Sequence, residues 1–136
     1  MDSNYDLFEL TEGKEDYREP REKFCARMIA DGFRVVIPEA NQLQVDIDTD
    51  EQYAVYQRAC ECFIKNFPGD PPIVEEHPSR SGLPRRHVTI TLPFAVEPWQ
   101  RIAWQASFGS DPMREMLSCF RAWHGDQHPT LFVEAP

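Results

Sequence analysis

The chain lacks any apolar run near the roughly 20 residues needed to cross a bilayer. Its mean hydropathy is −0.55, so a soluble, cytoplasmic protein with no membrane partner is expected. It also lacks a basic surplus. The formal net charge of −9 argues against general affinity for nucleic acid, whose phosphates call for lysine and arginine. The four cysteines, Cys25, Cys60, Cys62 and Cys119, lack the CxxC spacing of zinc modules. All but Cys62 fall on apolar helical faces, which predicts reduced, buried thiols. The first residues are acidic and polar rather than basic and then apolar, so no signal peptide is expected. There is no internal repeat, no dividing linker and no local Ser-His-Asp or Cys-His nucleophile pattern. At 136 residues the chain is long enough for one domain with one core.

What is present is unevenly spread. Residues 1–19 hold seven acids against Lys14 and Arg18, which predicts a loosely ordered acidic segment over 1–18 ahead of a single domain over 19–136. Residues 79–101 hold Arg80, Arg85, Arg86 and Arg101 against Glu97 alone, a basic patch within an acidic chain.

Periodicity predicts a helix over 20–31, opened by Pro20 and closed by Gly32. Strands follow at Phe33–Pro38 and Leu43–Asp48, joined as a hairpin across Glu39-Ala40-Asn41. Thr49 or Asp50 caps a helix with Tyr53, Tyr56, Cys60, Phe63, Ile64 and Phe67 inward. Pro68-Gly69-Asp70-Pro71-Pro72 stops it. Ile73–Glu76 is a short strand, 77–86 an arginine-rich loop and His87–Pro93 the clearest strand. Pro98 opens a helix to Phe108. Asp111-Pro112 opens another, with Met113, Met116, Leu117, Phe120 and Trp123 inward, and Thr130–Glu134 is the last strand. The order α-β-β-α-β-β-α-α-β predicts an α+β fold, helices packed on a mostly antiparallel sheet.

Two stretches carry chemistry. In Gln44-Val45-Asp46-Ile47-Asp48 two carboxylates sit at i and i+2 of a strand, on one face and roughly 7 Å apart at Cα. Hard divalent cations such as Mg²⁺ or Mn²⁺ take oxygen ligands of this kind and share them with substrate phosphates. In Ser79-Arg80-Ser81-Gly82-Leu83-Pro84-Arg85-Arg86-His87 a small-residue turn and arginines lead into a strand headed by histidine. Ser81 and Gly82 let backbone N–H groups approach phosphate, and Arg85 and Arg86 can pair with phosphate oxygens bidentately. Plainer readings stand beside these. Asp46 and Asp48 also fit the solvent face of an edge strand, His87 a polar surface position, and Asp111 an N-cap followed by Pro at N1. Trp99, Trp104 and Trp123 have the spacing of groove or core residues, though tryptophan also stacks bases. His77, His124 and His128 read as surface residues.

Val45-Asp46-Ile47-Asp48 followed by a helix resembles the hydrophobic-DxD motif of the archaeo-eukaryotic primase (primase-polymerase) superfamily. Ser79-x-Ser81-Gly82 with His87 on a strand resembles its second motif, with a Leu83-Pro84-Arg85-Arg86 insert between serine and histidine. Asp111, after Phe108-Gly109-Ser110, is the candidate for its third, metal-completing aspartate. The resemblance spans about residues 33–111 of a chain short for a full core, and so describes a minimal or divergent member. It implies a core related to RNA-recognition-motif folds and metal-dependent nucleotidyl transfer. In that scheme Asp46, Asp48 and His87 are catalytic, Asp46, Asp48 and Asp111 hold metal, and Ser81, Gly82, Arg85 and Arg86 bind nucleotide. The partners would be a nucleoside triphosphate and a nucleic-acid template. The alternative is a non-catalytic acidic protein that meets a basic or nucleic-acid-processing partner, as a DNA mimic or accessory module.

Overall fold

The computed structural model describes residues 19–78 and 82–134. The predicted acidic segment over 1–18 and Ser81 lie outside them. Four helices and five strands are seen among the described residues: α1 (Arg21–Ala30), β1 (Arg34–Val36), β2 (Gln42–Ile47), α2 (Asp50–Asn66), β3 (Ile73–Pro78), β4 (Arg86–Thr91), α3 (Pro98–Ser107), α4 (Pro112–Trp123) and β5 (Phe132–Glu134). The fold is α+β, and both sheets are antiparallel.

One sheet has the order β2-β4-β3 and the other pairs β1 with β5. Strand alternation sorts the larger sheet into two chemically different faces. Leu43, Val45, Ile47, Val88 and Ile90 leave one face and pack under Tyr56 and Phe63 of α2, with Phe108 completing this core. Gln44, Asp46 and His87 leave the opposite face and are also buried. That second face is covered by the small sheet. Phe132 of β5 stacks flat on His87 with ring centroids 3.9 Å apart, and Gln44 Nε2 donates to the Val36 carbonyl of β1 at 2.9 Å. Behind the small sheet, α1 supplies Phe24 and Met28 to a second core with Leu131 and Val133.

The expected hairpin between the first two strands does not form. β1 pairs instead with β5, Val35 opposite Val133, because the edge of β2 that a hairpin would use is already taken. Along it Arg101 Nε donates to Gln42 O (2.8 Å), Gln105 Oε1 accepts from Gln44 N (2.9 Å), Ser110 Oγ accepts from Asp46 N (3.0 Å), and Arg114 Nη1 donates to Gln44 O. Side chains of α3, α4 and their connection thus stand in for a fourth strand of this three-stranded sheet and seal the edge.

α4 also reverses its expected orientation. Arg114, Glu115, Ser118 and Arg121 are buried, whereas Met113, Met116 and Trp123 are exposed. The polar face is needed inside, to satisfy the edge of β2 and the polar layer beneath it. The expectation of buried thiols fails with it. Cys119 on α4 is exposed, as is Cys62, and Cys25 and Cys60 are half-buried. Ile64 on α2 and Phe67 at its C-cap are likewise exposed rather than inward.

Candidate metal centre

Asp46, Asp48 and Asp111 meet. Each offers a carboxylate oxygen, and these oxygens lie within 4.8 Å of one another. Three local devices bring them together. Asp46 is the penultimate residue of β2, and its alternation with the core residues Val45 and Ile47 sends it to the polar face. Asp48 sits at the β2–α2 junction. Its N–H donates to Gln52 Oε1 at 2.8 Å, and the same oxygen accepts from Thr49 N at 3.0 Å. Thr49 Oγ1 returns the favour by accepting from Gln52 N at 3.1 Å, a reciprocal cap that fixes the first turn of α2. Asp111 is the N-cap of α4, accepting from Arg114 N at 3.1 Å, and its own N–H donates to the Asp46 carbonyl at 2.8 Å. Capping and membership of the cluster are therefore not alternatives for Asp111; the structure shows both.

The turn before Asp111 is tightly held. Gly109 has φ +83, and a Cβ there would meet the Gln52 carbonyl oxygen at 2.9 Å and Val55 at 3.1 Å. Only glycine lets the α3–α4 connection lie against the first turn of α2. That contact sets Asp111 beside Asp48.

The three carboxylates repel one another. At an effective dielectric near 20, two carboxylates about 4–5 Å apart repel by roughly 3–4 kcal/mol. Two helix N-termini, at Thr49 and Asp111, point partial positive charge at the group. A divalent cation would relieve the remaining repulsion. The donors are all hard oxygens, with neither thiol nor thioether among them, and such a set can hold a metal ion.

His87 is the register partner of Asp46 on β4, so both side chains leave the same face of the sheet. Its Nδ1 lies 3.4 Å from Glu134 Oε2, and Nε2 has no hydrogen-bond partner among the described residues. Burial pushes the imidazole pKa down to about 4, against the opposing pull of the Glu134 hydrogen bond, with Arg114 adding to the depression. The hydrogen bond from His87 pulls the Glu134 carboxyl down to about 2, with Arg34 assisting and partial burial opposing. At neutral pH the ring is uncharged. An N–H on Nδ1 facing an ionised carboxylate leaves the Nε2 lone pair available.

The other sequence candidates are placed less centrally. Arg86, one residue before His87, alternates to the α2 face. There it pairs with Glu76 at 3.2 Å and lies 3.7 Å over the Tyr53 ring, so it is not brought to the cluster. Arg85 is half-buried in the turn leading into β4, where its N–H donates to Gly82 O at 3.2 Å. Gly82 takes φ +85 in that turn. Trp99 and Trp123 are exposed and Trp104 packs against Phe63 at 5.6 Å.

Phe132, Glu134, Ser110 and Arg114 belong to the site's surroundings and carry no sequence signal of that role. Alternation alone puts Phe132 and Glu134 on one side of β5, but their neighbour His87 is 45 residues or more away in the chain. Comparison with family models, curated proteins and solved structures finds no match to this chain.

Proposed function

We propose that the chain binds a divalent cation, Mg²⁺ or Mn²⁺, through Asp46, Asp48 and Asp111, and through it the triphosphate of a nucleotide. Nucleotidyl transfer of the primase-polymerase type is the reaction this arrangement supports best. The observation that carries the reading is the meeting of three aspartates from two distant segments of the chain, with an uncharged histidine on the same face. A metal bound there would offset the charge of the triphosphate and of the departing pyrophosphate. The protein's own part is positioning. The capped start of α2 fixes Asp48, the Gly109 turn fixes Asp111, and the sealed edge of β2 fixes Asp46. Neutral His87, steadied by Glu134 and Phe132, keeps a lone pair for a substrate hydroxyl or its proton. Arg85, two residues ahead of His87, would serve phosphate.

Thermal melting with Mn²⁺, alone and with a nucleoside triphosphate, tests the reading. A ligand at 100 times its dissociation constant stabilises the native state by about 2.7 kcal/mol. Mn²⁺ should therefore raise Tm by several degrees in the wild type and by far less in Asp46→Asn/Asp48→Asn. The triphosphate should add a further rise only when Mn²⁺ is present. Equal shifts in wild type and double variant would remove the site. No shift in either would turn attention to a basic partner for the acidic surface.

A further inference from the structure

Because α4 buries its polar side against β2, its apolar side is left outside. Met113, Met116 and Trp123 are 60%, 59% and 73% exposed, and Cys119 is exposed between them. Together they make an apolar strip about 15 Å long on the helix. Phe120 is not counted in it. That ring is half-buried and packs against His124 at 4.4 Å and Trp123 at 6.2 Å. Apolar side chains gathered on one strip, rather than scattered singly, mark a contact surface.

The fold brings the start of the described chain to one end of that strip. Pro20, Arg21 and Glu22, at the head of α1, and residues 125–128, just past the end of α4, line one cavity of about 200 Å³. The residues that precede Pro20 in the chain therefore join the molecule at the Trp123 end. They are acidic apart from one apolar cluster, Tyr5, Leu7, Phe8 and Leu10. Residues 11–19 separate that cluster from Pro20. A tether of about ten residues extends to roughly 33 Å, which reaches every position of a strip half that length.

Two further arguments favour this occupant. The tether holds the cluster at an effective concentration in the millimolar range, far above that of a second copy present at micromolar concentration. Charge agrees. No exposed residue from Pro112 to Trp123 carries a formal charge, so an acidic segment of a chain at −9 meets no fixed like charge on this face.

We infer that the acidic segment 1–18 docks on α4 of its own chain, its apolar cluster covering Met113, Met116 and Trp123. The contact does not depend on the metal reading, since it uses the outer side of α4 and none of the three aspartates.

Cys119 is a native reporter within the strip, and Cys62, exposed on α2, is the control. Partial burial, with Glu115 adding to it, holds the Cys119 thiol above its ordinary pKa, so each thiol is compared only with itself. Alkylation of the full chain by iodoacetamide, read residue by residue by mass spectrometry, should be at least fivefold faster at Cys119 in Leu7→Asp/Phe8→Asp than in wild type. Cys62 should not change. Oxidation of Met113 and Met116 by dilute peroxide should rise in the same variant. Reciprocally, Met116→Glu, which sets an acid against the acidic segment, should speed tryptic cleavage after Lys14 at least fivefold. Rates at Cys119, Met113 and Met116 that are equal in wild type and Leu7→Asp/Phe8→Asp would overturn the inference. Protection of Cys119 that grows with protein concentration and survives Leu7→Asp/Phe8→Asp would overturn it too, and would assign the strip to a second copy.

Discussion

His87 is held far from the titration behaviour it has in water, and the sign of that displacement fixes a pH dependence. Its folded pKa of about 4 lies below the ordinary 6.5. Between these values the unfolded chain binds a proton that the folded chain refuses. The imidazole's contribution is therefore fully present above pH 6.5 and is lost as pH falls towards 4, an effect of roughly 3 kcal/mol for a shift of this size. Glu134, depressed from 4.5 to about 2, acts in the same direction in the next window down. Urea denaturation in chelator at several pH values between 4 and 7 should show stability falling with acid. His87→Phe, which keeps the ring stack on Phe132, should flatten that slope; parallel slopes would refute the assignment. Gly109 is the other residue whose chemistry is forced. With φ +83 and a backbone oxygen 2.9 Å from any added Cβ, Gly109→Ala should destabilise by more than about 1 kcal/mol. Because the displaced turn carries Asp111, it should also weaken Mn²⁺ binding by calorimetry. Full Mn²⁺ affinity in a folded Gly109→Ala protein would show that the turn does not position the third carboxylate.

Among the elements, the polar seam between β2 and the α3–α4 pair explains both what the sequence disclosed and what it hid. Arg114 is fully buried. It donates to Gln44 O, to Glu115 Oε2 at 3.0 Å and to Leu131 O at 3.3 Å. Glu115 in turn accepts from Gln105 Nε2 at 2.9 Å and Ser110 Oγ at 2.7 Å. Removing the cation leaves a buried carboxylate and two carbonyls without it, so Arg114→Met should cost about 3–5 kcal/mol. Gln105→Ala strips one partner each from Gln44 N and Glu115 and should cost about 1–3 kcal/mol. Urea titration checks both, and the double variant should lose less than the two single losses together because they share Glu115. The order of the nine elements among the described residues is legible in the sequence, since capping residues, proline stops and strand alternation are local. So is the facing of β2: Val45 and Ile47 go to the core and Asp46 and Asp48 to the other side. Two relations were not legible. Apolar periodicity in α4 suggests an inward apolar face, because an inward polar stripe makes sense only once the open edge of β2 is known. The β1–β2 hairpin was expected from a short connection, while the true partner, β5, lies about a hundred residues on. The triad of aspartates was anticipated by residue type, but its closure depends on the Gly109 contact with α2, which no spacing announces.

At the scale of the molecule, two hydrophobic cores are separated by a polar layer. The core under α2 is built on the larger sheet, and the core under α1 on the three-residue strands β1 and β5. Apolar burial stabilises each by itself, whereas their union runs through directional contacts: Gln44 to Val36, Arg114 to Leu131, and the His87–Phe132 stack. A small sheet held this way should open before the larger one. In native-state hydrogen exchange, Val45, Val88 and Ile90 amides that bond within the larger sheet should report global unfolding. Amides bonded between β1 and β5 should exchange by a cheaper, partial opening. Arg114→Met should lower the protection of β1 and β5 more than that of β4. The candidate metal centre lies on the face that this opening would uncover, with His87 losing its stacked ring and its carboxylate partner together. Mn²⁺ itself touches only the larger sheet and the helix N-termini in this scheme. It should therefore raise protection around β2, α2 and the start of α4 first, and reach β5 only through the His87 layer. Uniform protection across both sheets, with and without Mn²⁺, would instead mean that the polar layer welds the two cores into one cooperative unit.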